Sequence, residues 1–172
     1  MVMRRHLKLF AALWVLVCAA PALAQGIADH DASLPIDIEA DRLEVQQANE
    51  SAIFFGNVDV QQGNLDLKSD QLEVFYALEG NGASAQAVKR IVAKGNVFIT
   101  SPEETAQGDE GVYSLTDETL VLTGNVVLTR GDNVIRGGRL DIDLAASVAT
   151  MRAAENQSNG RVRALFVPAA GQ

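Results

Sequence analysis

Side chains able to carry out chemistry are sparse in this 172-residue chain. Of its two histidines, His6 sits in a leader-like start and His30 in a polar stretch, residues 25–34, that reads as mobile. An imidazole there is not held in place for proton transfer. Serines and threonines are scattered, with no base nearby in sequence. The acid pairs Glu103-Glu104 and Asp109-Glu110 offer oxygens to a calcium ion. They lack the Asp-x-Asn-x-Asp-Gly spacing of a loop site and read as solvated, charged loops. No Walker-type glycine loop is present, so any energy input must come from a partner. No enzyme activity, cofactor or metal is expected.

What recurs is backbone pattern. Gly-Asn-Val occurs at Gly56-Asn57-Val58, Gly95-Asn96-Val97 and Gly124-Asn125-Val126. Fourteen residues after each Gly stands a second landmark: Asp70, Asp109 and Gly138. Asp41 precedes Asp70 by 29 residues; the spacing is again 29 from Gly95 to Gly124 but 39 from Gly56 to Gly95. The extra residues fall in the Gly/Ala-rich stretch around 80–87. A fixed period of this size means one supersecondary unit stacked on copies of itself.

The units read as strands. Ile36-Asp37-Ile38-Glu39, Val58-Asp59-Val60-Gln61, Leu65-Asp66-Leu67-Lys68, Leu72-Glu73-Val74 and Leu140-Asp141-Ile142-Asp143 alternate apolar with polar. That period puts aliphatic side chains on one face and carboxylates on the other, as in an antiparallel sheet with one wet face. Turn signals such as Gln62-Gly63-Asn64 and Arg130-Gly131-Asp132-Asn133 separate the runs. The expected fold is all-β, an antiparallel sandwich, barrel or roll built from repeated units of about 29 residues. Residues 145–154 are the best candidate for a helical turn, although Leu144, Val148 and Met151 suit a strand nearly as well. Residues 87–93 resemble residues 160–166, so each is expected to carry an extra strand of the same kind.

Residues 1–24 read as a cleaved signal peptide, with Arg4, Arg5 and Lys8 before an apolar run and Ala22-Leu23-Ala24 as the cleavage site. The only cysteine, Cys18, leaves with it. Val17 before it is not the small residue that a lipoprotein signal wants. Without the three leader cations, 11 of the 14 basic residues face 22 acids, a net charge of −11. An acidic chain of this kind argues against nucleic acid or an anionic membrane as a direct partner. Residues 25–34 are then a flexible N-terminal segment, 35–168 the folded domain and 169–172 a tail.

Four segments resemble one family. Pro35-Ile36-Asp37-Ile38-Glu39-Ala40-Asp41 is similar to the opening of the LptA (OstA) family of periplasmic lipopolysaccharide-transport proteins. Residues 54–63 resemble its first repeat, and residues 120–126 with 133–137 resemble a later one. Arg161-Val162 to Val167-Pro168 resembles its closing strand. The resemblance implies a slightly twisted β-jelly roll, open at both ends, in the periplasm. It further implies a groove for the lipid A part of lipopolysaccharide and end-to-end stacking. The stack would bridge an LptC-like inner-membrane subunit to an LptD-like outer-membrane translocon.

The candidate inner face comprises Ile36, Ile38, Val58, Val60, Leu65, Leu67, Leu72, Val74, Val97, Ile99, Leu120, Leu122, Val126, Leu128, Leu140 and Ile142. By pattern alone these residues read as plain core. The resemblance makes them also the lining of a groove, where each buried acyl CH₂ contributes about 0.8 kcal/mol. An unclosed sheet leaves two edges able to recruit another strand. The first edge is expected at Pro35, Ile36, Ile38 and Glu39, and the last at Arg161, Val162, Ala164 and Phe166. Two readings compete: a structural β-roll with a dry core, and a carbohydrate-active enzyme. The second needs paired inward carboxylates, whereas the acids here sit at outward parity.

Overall fold

The computed structural model describes residues 27, 31, 33–78, 86–154 and 160–168. The expected leader, His30, most of the segment 25–34, the connection 79–85 and the tail lie outside the described residues. Ten strands form one antiparallel sheet. They are β1 (Asp37–Glu39), β2 (Arg42–Gln46), β3 (Ser51–Gln62), β4 (Leu65–Leu78), β5 (Gln86–Thr100), β6 (Glu104–Ser114), β7 (Thr119–Arg130), β8 (Asn133–Asp143), β9 (Val148–Arg152) and β10 (Arg163–Leu165). A 3-10 turn at Gln47–Asn49 joins β2 to β3. The alternation in β3, β4, β7 and β8 dictates this outcome, since only a pleated strand sends every second side chain to the same side.

The long strands β3 to β8 form a meander. Each bends at mid-length, where the register shifts between Phe55 and Val58, Lys68 and Gln71, Lys94 and Val97, Gln107 and Glu110, and Thr123 and Val126. The bends divide the sheet into two half-sheets. At each end two short strands share one long neighbour. β1 pairs with 59–61 of β3 and β2 with 51–55, while β10 pairs with 134–136 of β8 and β9 with 139–143. Each short pair therefore acts as one long strand broken at the corner.

The Gly-Asn pairs make these corners. Gly56, Asn57, Gly95, Asn96 and Gly124 all have positive φ. The side-chain amides of Asn57, Asn96 and Asn125 donate to Asp41, Asp70 and Asp109 at 2.8, 2.8 and 3.1 Å. A β-carbon at Gly56, Gly95 or Gly124 would collide with the same carboxylates. The sequence repeat is thus an Asp on one strand locking a Gly-Asn bulge on the next. At the last corner Gly138 takes the Asp position, because the backbone of Ala154 crosses against it and leaves no room for a side chain. Asn96→Ala removes the amide and leaves Ala at φ 47°. It is expected to cost about 1–3 kcal/mol in urea unfolding; unchanged stability would contradict the locking role.

Two expectations are corrected. Residues 87–93 are not an extra strand but the first arm of β5, continuous through the corner to Thr100. The added residues lengthen the β4–β5 hairpin instead, so that Tyr76, Ala77 and Leu78 pair with Val88, Ala87 and Gln86 beyond the reach of Ser51 and Ser114. The candidate helical turn at 145–154 is a turn followed by β9, because Leu140 and Ile142 of β8 offer Met151 and Ala149 a free ladder.

Candidate functional site

The two half-sheets carry one apolar cluster between them. Every candidate inner-face residue belongs to it. Val58, Val60, Leu65, Leu67, Leu72, Val74, Val97, Ile99, Leu120, Leu122, Val126, Leu140 and Ile142 are buried, and Ile36, Ile38 and Leu128 pack against them half-buried. Contact runs directly from one half to the other. Gly111 of β6 lies where an added β-carbon would stand 3.2 Å from its ladder partner Leu122 and 3.3 Å from Val97, which lies beyond the β5 corner in the other half-sheet. The cavity lined by Leu67, Ile91, Ala93, Ile99, Tyr113 and Leu120 is only about 10 Å³. That is the threshold for a single water. The interior is apolar and shut along its middle.

Several members of this interior were not predicted from sequence. Ile91, Ala93, Ala106, Tyr113 and Leu144 are buried in it, and Phe54, Val88 and Leu115 pack against it. The buried polar residues among those described are Ser51, Gln62, Ser69 and Ser101, none of them ionisable. Tyr113 brings the one phenol of the buried set. Burial, then the Glu118 and Asp31 carboxylates, push its pKa up to about 12 and hold it neutral. The carboxylates lie elsewhere. Asp59 pairs with Lys68 at 2.7 Å on the outer face, and Asp141 pairs with Arg139 at 2.7 Å. The acid pair of a glycosidase therefore has no counterpart on the buried inner face among the described residues. The charged-loop reading of the acid pairs is corrected: Asp109 and Glu110 stand within β6, and Glu104 opens that strand opposite Arg130, which it holds at 2.6 Å.

Within residues 25–34, Ile27 is packed into the interior. Its side chain is 0% exposed in the apolar cluster, and its N–H donates to Glu104 Oε2 at 3.1 Å. Leu34 is tied back as well, its carbonyl accepting from Gln62 Nε2 at 2.8 Å.

The ends differ from the middle. Among the described residues, every exposed large apolar side chain except Phe98 lies on or beside the short end strands. At the first end Leu43 is 53% and Val45 55% exposed. Leu43 stands opposite Phe54, which packs on the core, so both point inward without a covering neighbour. At the last end Ala164 stands opposite Ile135, itself opposite the core residue Leu128. Phe166, two residues on, is 68% exposed. The interior thus reaches the surface at both edges of the sheet.

An unclosed β-roll with an apolar interior and two bare ends leaves strand edges that can accept another strand. The chain belongs to the family described as LptA/(LptD N-terminal domain) LPS transport protein, which matches residues 37–148. An uncharacterized protein of Rhizobium meliloti is 34% identical over 167 residues, spanning 92% of this chain and 88% of that protein. The LPS-assembly protein LptD of Sodalis glossinidius is 35% identical over 125 residues, 72% of this chain but only 15% of the longer protein. The crystal structure of LptH of Pseudomonas aeruginosa, described as the LptA-homologous periplasmic component of the lipopolysaccharide transport device, superposes with a TM-score of 0.67. That match covers 80% of this chain and 99% of LptH at 20% identity, which shows a shared β-jelly roll. Among the described residues no helix is long and apolar enough to cross a membrane.

Proposed function

We propose that this chain is a periplasmic bridge module that carries lipopolysaccharide by its acyl chains between an LptC-like and an LptD-like partner. The observation that carries the reading is the single apolar face, free of acidic and basic side chains among the described residues and bare at both edges. Aliphatic walls suit fatty chains and recognise no headgroup. Because the middle is shut to a cavity of about 10 Å³, loading must part the two half-sheets about their Asp/Gly-Asn corners.

Strand direction supports the stacking. The first half-sheet runs β1-β3-β4-β5-β6-β7-β8-β10, all neighbours antiparallel, so β1 and β10 point oppositely. A second copy whose β1 lies beside β10 continues the ladder antiparallel, and its β2 meets β9 in the same sense. Leu43 and Val45 of one copy would then cover the apolar end of the other. The contact is heterologous and need not close, which gives a filament with one continuous interior.

The test is lipid analysis of the protein purified from a Gram-negative host. Near-stoichiometric lipopolysaccharide supports the carrier. Its absence, with the fold intact and added lipopolysaccharide unable to bind, favours a dry structural roll.

A further inference from the structure

We propose that the outer side of the last corner is a binding site for a phosphate group, formed by Arg136, Arg161 and Arg163. The β8–β10 register sets Arg163 directly opposite Arg136. Ala164 and Ile135 share the inward face with Leu128, so the two arginines share the outward one. Like charges facing each other across a ladder are destabilising, and a chain with this excess of acid has carboxylates to spare. Other arginines of the region are ion-paired. Arg130 holds Glu104, while Arg139 and Arg152 both hold Asp141. Arg136, Arg161 and Arg163 form no ion pair among the described residues, and the corner carboxylate Asp109 is engaged by both N–H groups of Asn125. The three guanidinium side chains border a concavity of about 560 Å³ whose floor includes Gly124, Asn125 and Gly137. Planar guanidinium groups offer paired donors that match phosphate oxygens.

A rival occupant is the acidic first strand of another copy, with Asp37 and Glu39. Strands lie about 4.8 Å apart. A strand added beyond β10 faces Arg163 across one spacing and Arg136 across two, roughly 10 Å. The concavity continues a further strand inward to Gly124 and Asn125 of β7. A compact anion seated between the arginines fits this shape, and an edge-docked carboxylate does not. The site stands on this geometry alone; only the identity of the phosphate's carrier, a phosphorylated sugar headgroup of the transported glycolipid, rests on the proposed function.

The experiment is an NMR titration of the leaderless chain with inorganic phosphate and with glucosamine 1-phosphate. Saturable shifts are expected at Gly124, Asn125, Gly137 and residues 160–163. Arg136→Gln and Arg163→Gln should each weaken binding at least about tenfold, whereas Arg42→Gln at the opposite end should not. Without phosphate, Arg163→Gln should melt no lower than wild type, since it relieves a repulsion. Unlocalised shifts, or equal affinity in all variants, would overturn the site. So would a peptide spanning residues 34–40 that reproduces the shifts when phosphate does not. Tighter binding of glucosamine 1-phosphate than of phosphate supports the headgroup source, and equal binding overturns that source while keeping the site. Phosphate binding in a protein that takes up no lipopolysaccharide overturns the carrier reading only; lipid uptake without phosphate binding overturns the site only.

Discussion

Proline at either sheet edge is expected to dissolve end-to-end assembly while leaving the monomer folded. Ile36→Pro precedes β1, and Ala164→Pro interrupts β10. Each removes one N–H from an edge and stiffens a strand that another copy must pair with. These strands are three residues long and only Ile38 of them packs on the buried cluster, half-buried, so the meander from β3 to β8 keeps its own ladder. A third variant, Phe166→Asp, acts by a different route. It puts a charge where a 68% exposed ring awaits cover, and leaves every backbone donor in place. Burying such a ring contributes about 1.5–3 kcal/mol, so its loss should weaken association roughly ten- to a hundredfold. A concentration series by light scattering reads all three. If the three variants associate like the wild type, the edges are not the contact.

Leu122→Ala is expected to cost about 2–5 kcal/mol of stability, while Leu43→Ala stays within about 0.5 kcal/mol. Both leucines point inward. Leu122 is 0% exposed at the point where β7 meets Gly111, whereas Leu43 is 53% exposed on β2. The first truncation leaves a hole that the surrounding strands fill only in part. The second removes a side chain that still has no neighbour. Urea denaturation of the two variants measures how far the closed middle differs from the bare end. Equal losses would mean that the end is as packed as the middle, leaving no uncovered surface for a second copy.

Much of this architecture is written in period two. The inward set of β3, β4, β7 and β8 could be read directly, since Val, Ile and Leu alternate with carboxylates there. β6 escaped because its inward positions include Ala106, Gly108 and Gly111, small residues that leave room for the facing half-sheet but carry no hydrophobic signal. In β5 an irregularity between Phe75 and Tyr76 turns both Val88 and Ile91 inward, so strict alternation fails over that arm. The Gly-Asn pairs announced corners, yet their Asp partners stand 16 or 26 residues away. Only the ladder brings them together. Ile27 is one apolar residue in a polar stretch, and nothing local distinguishes it from an exposed one. The Arg136–Arg163 pair depends on β10 returning to the first arm of β8, a register no local pattern encodes.

The central claim is that the inner face holds acyl chains, and site-specific photo-crosslinking in cells making lipopolysaccharide tests it most directly. Crosslinkers at Ile38, Val60, Ile99, Leu122 and Leu140, all on the inward face, are expected to label lipopolysaccharide. Crosslinkers at Asp37, Asp59 and Asp141, one residue away in sequence from inward positions and on the opposite face, are expected to stay unlabelled. Equal labelling of the two sets, or labelling of the acidic set alone, would contradict the groove.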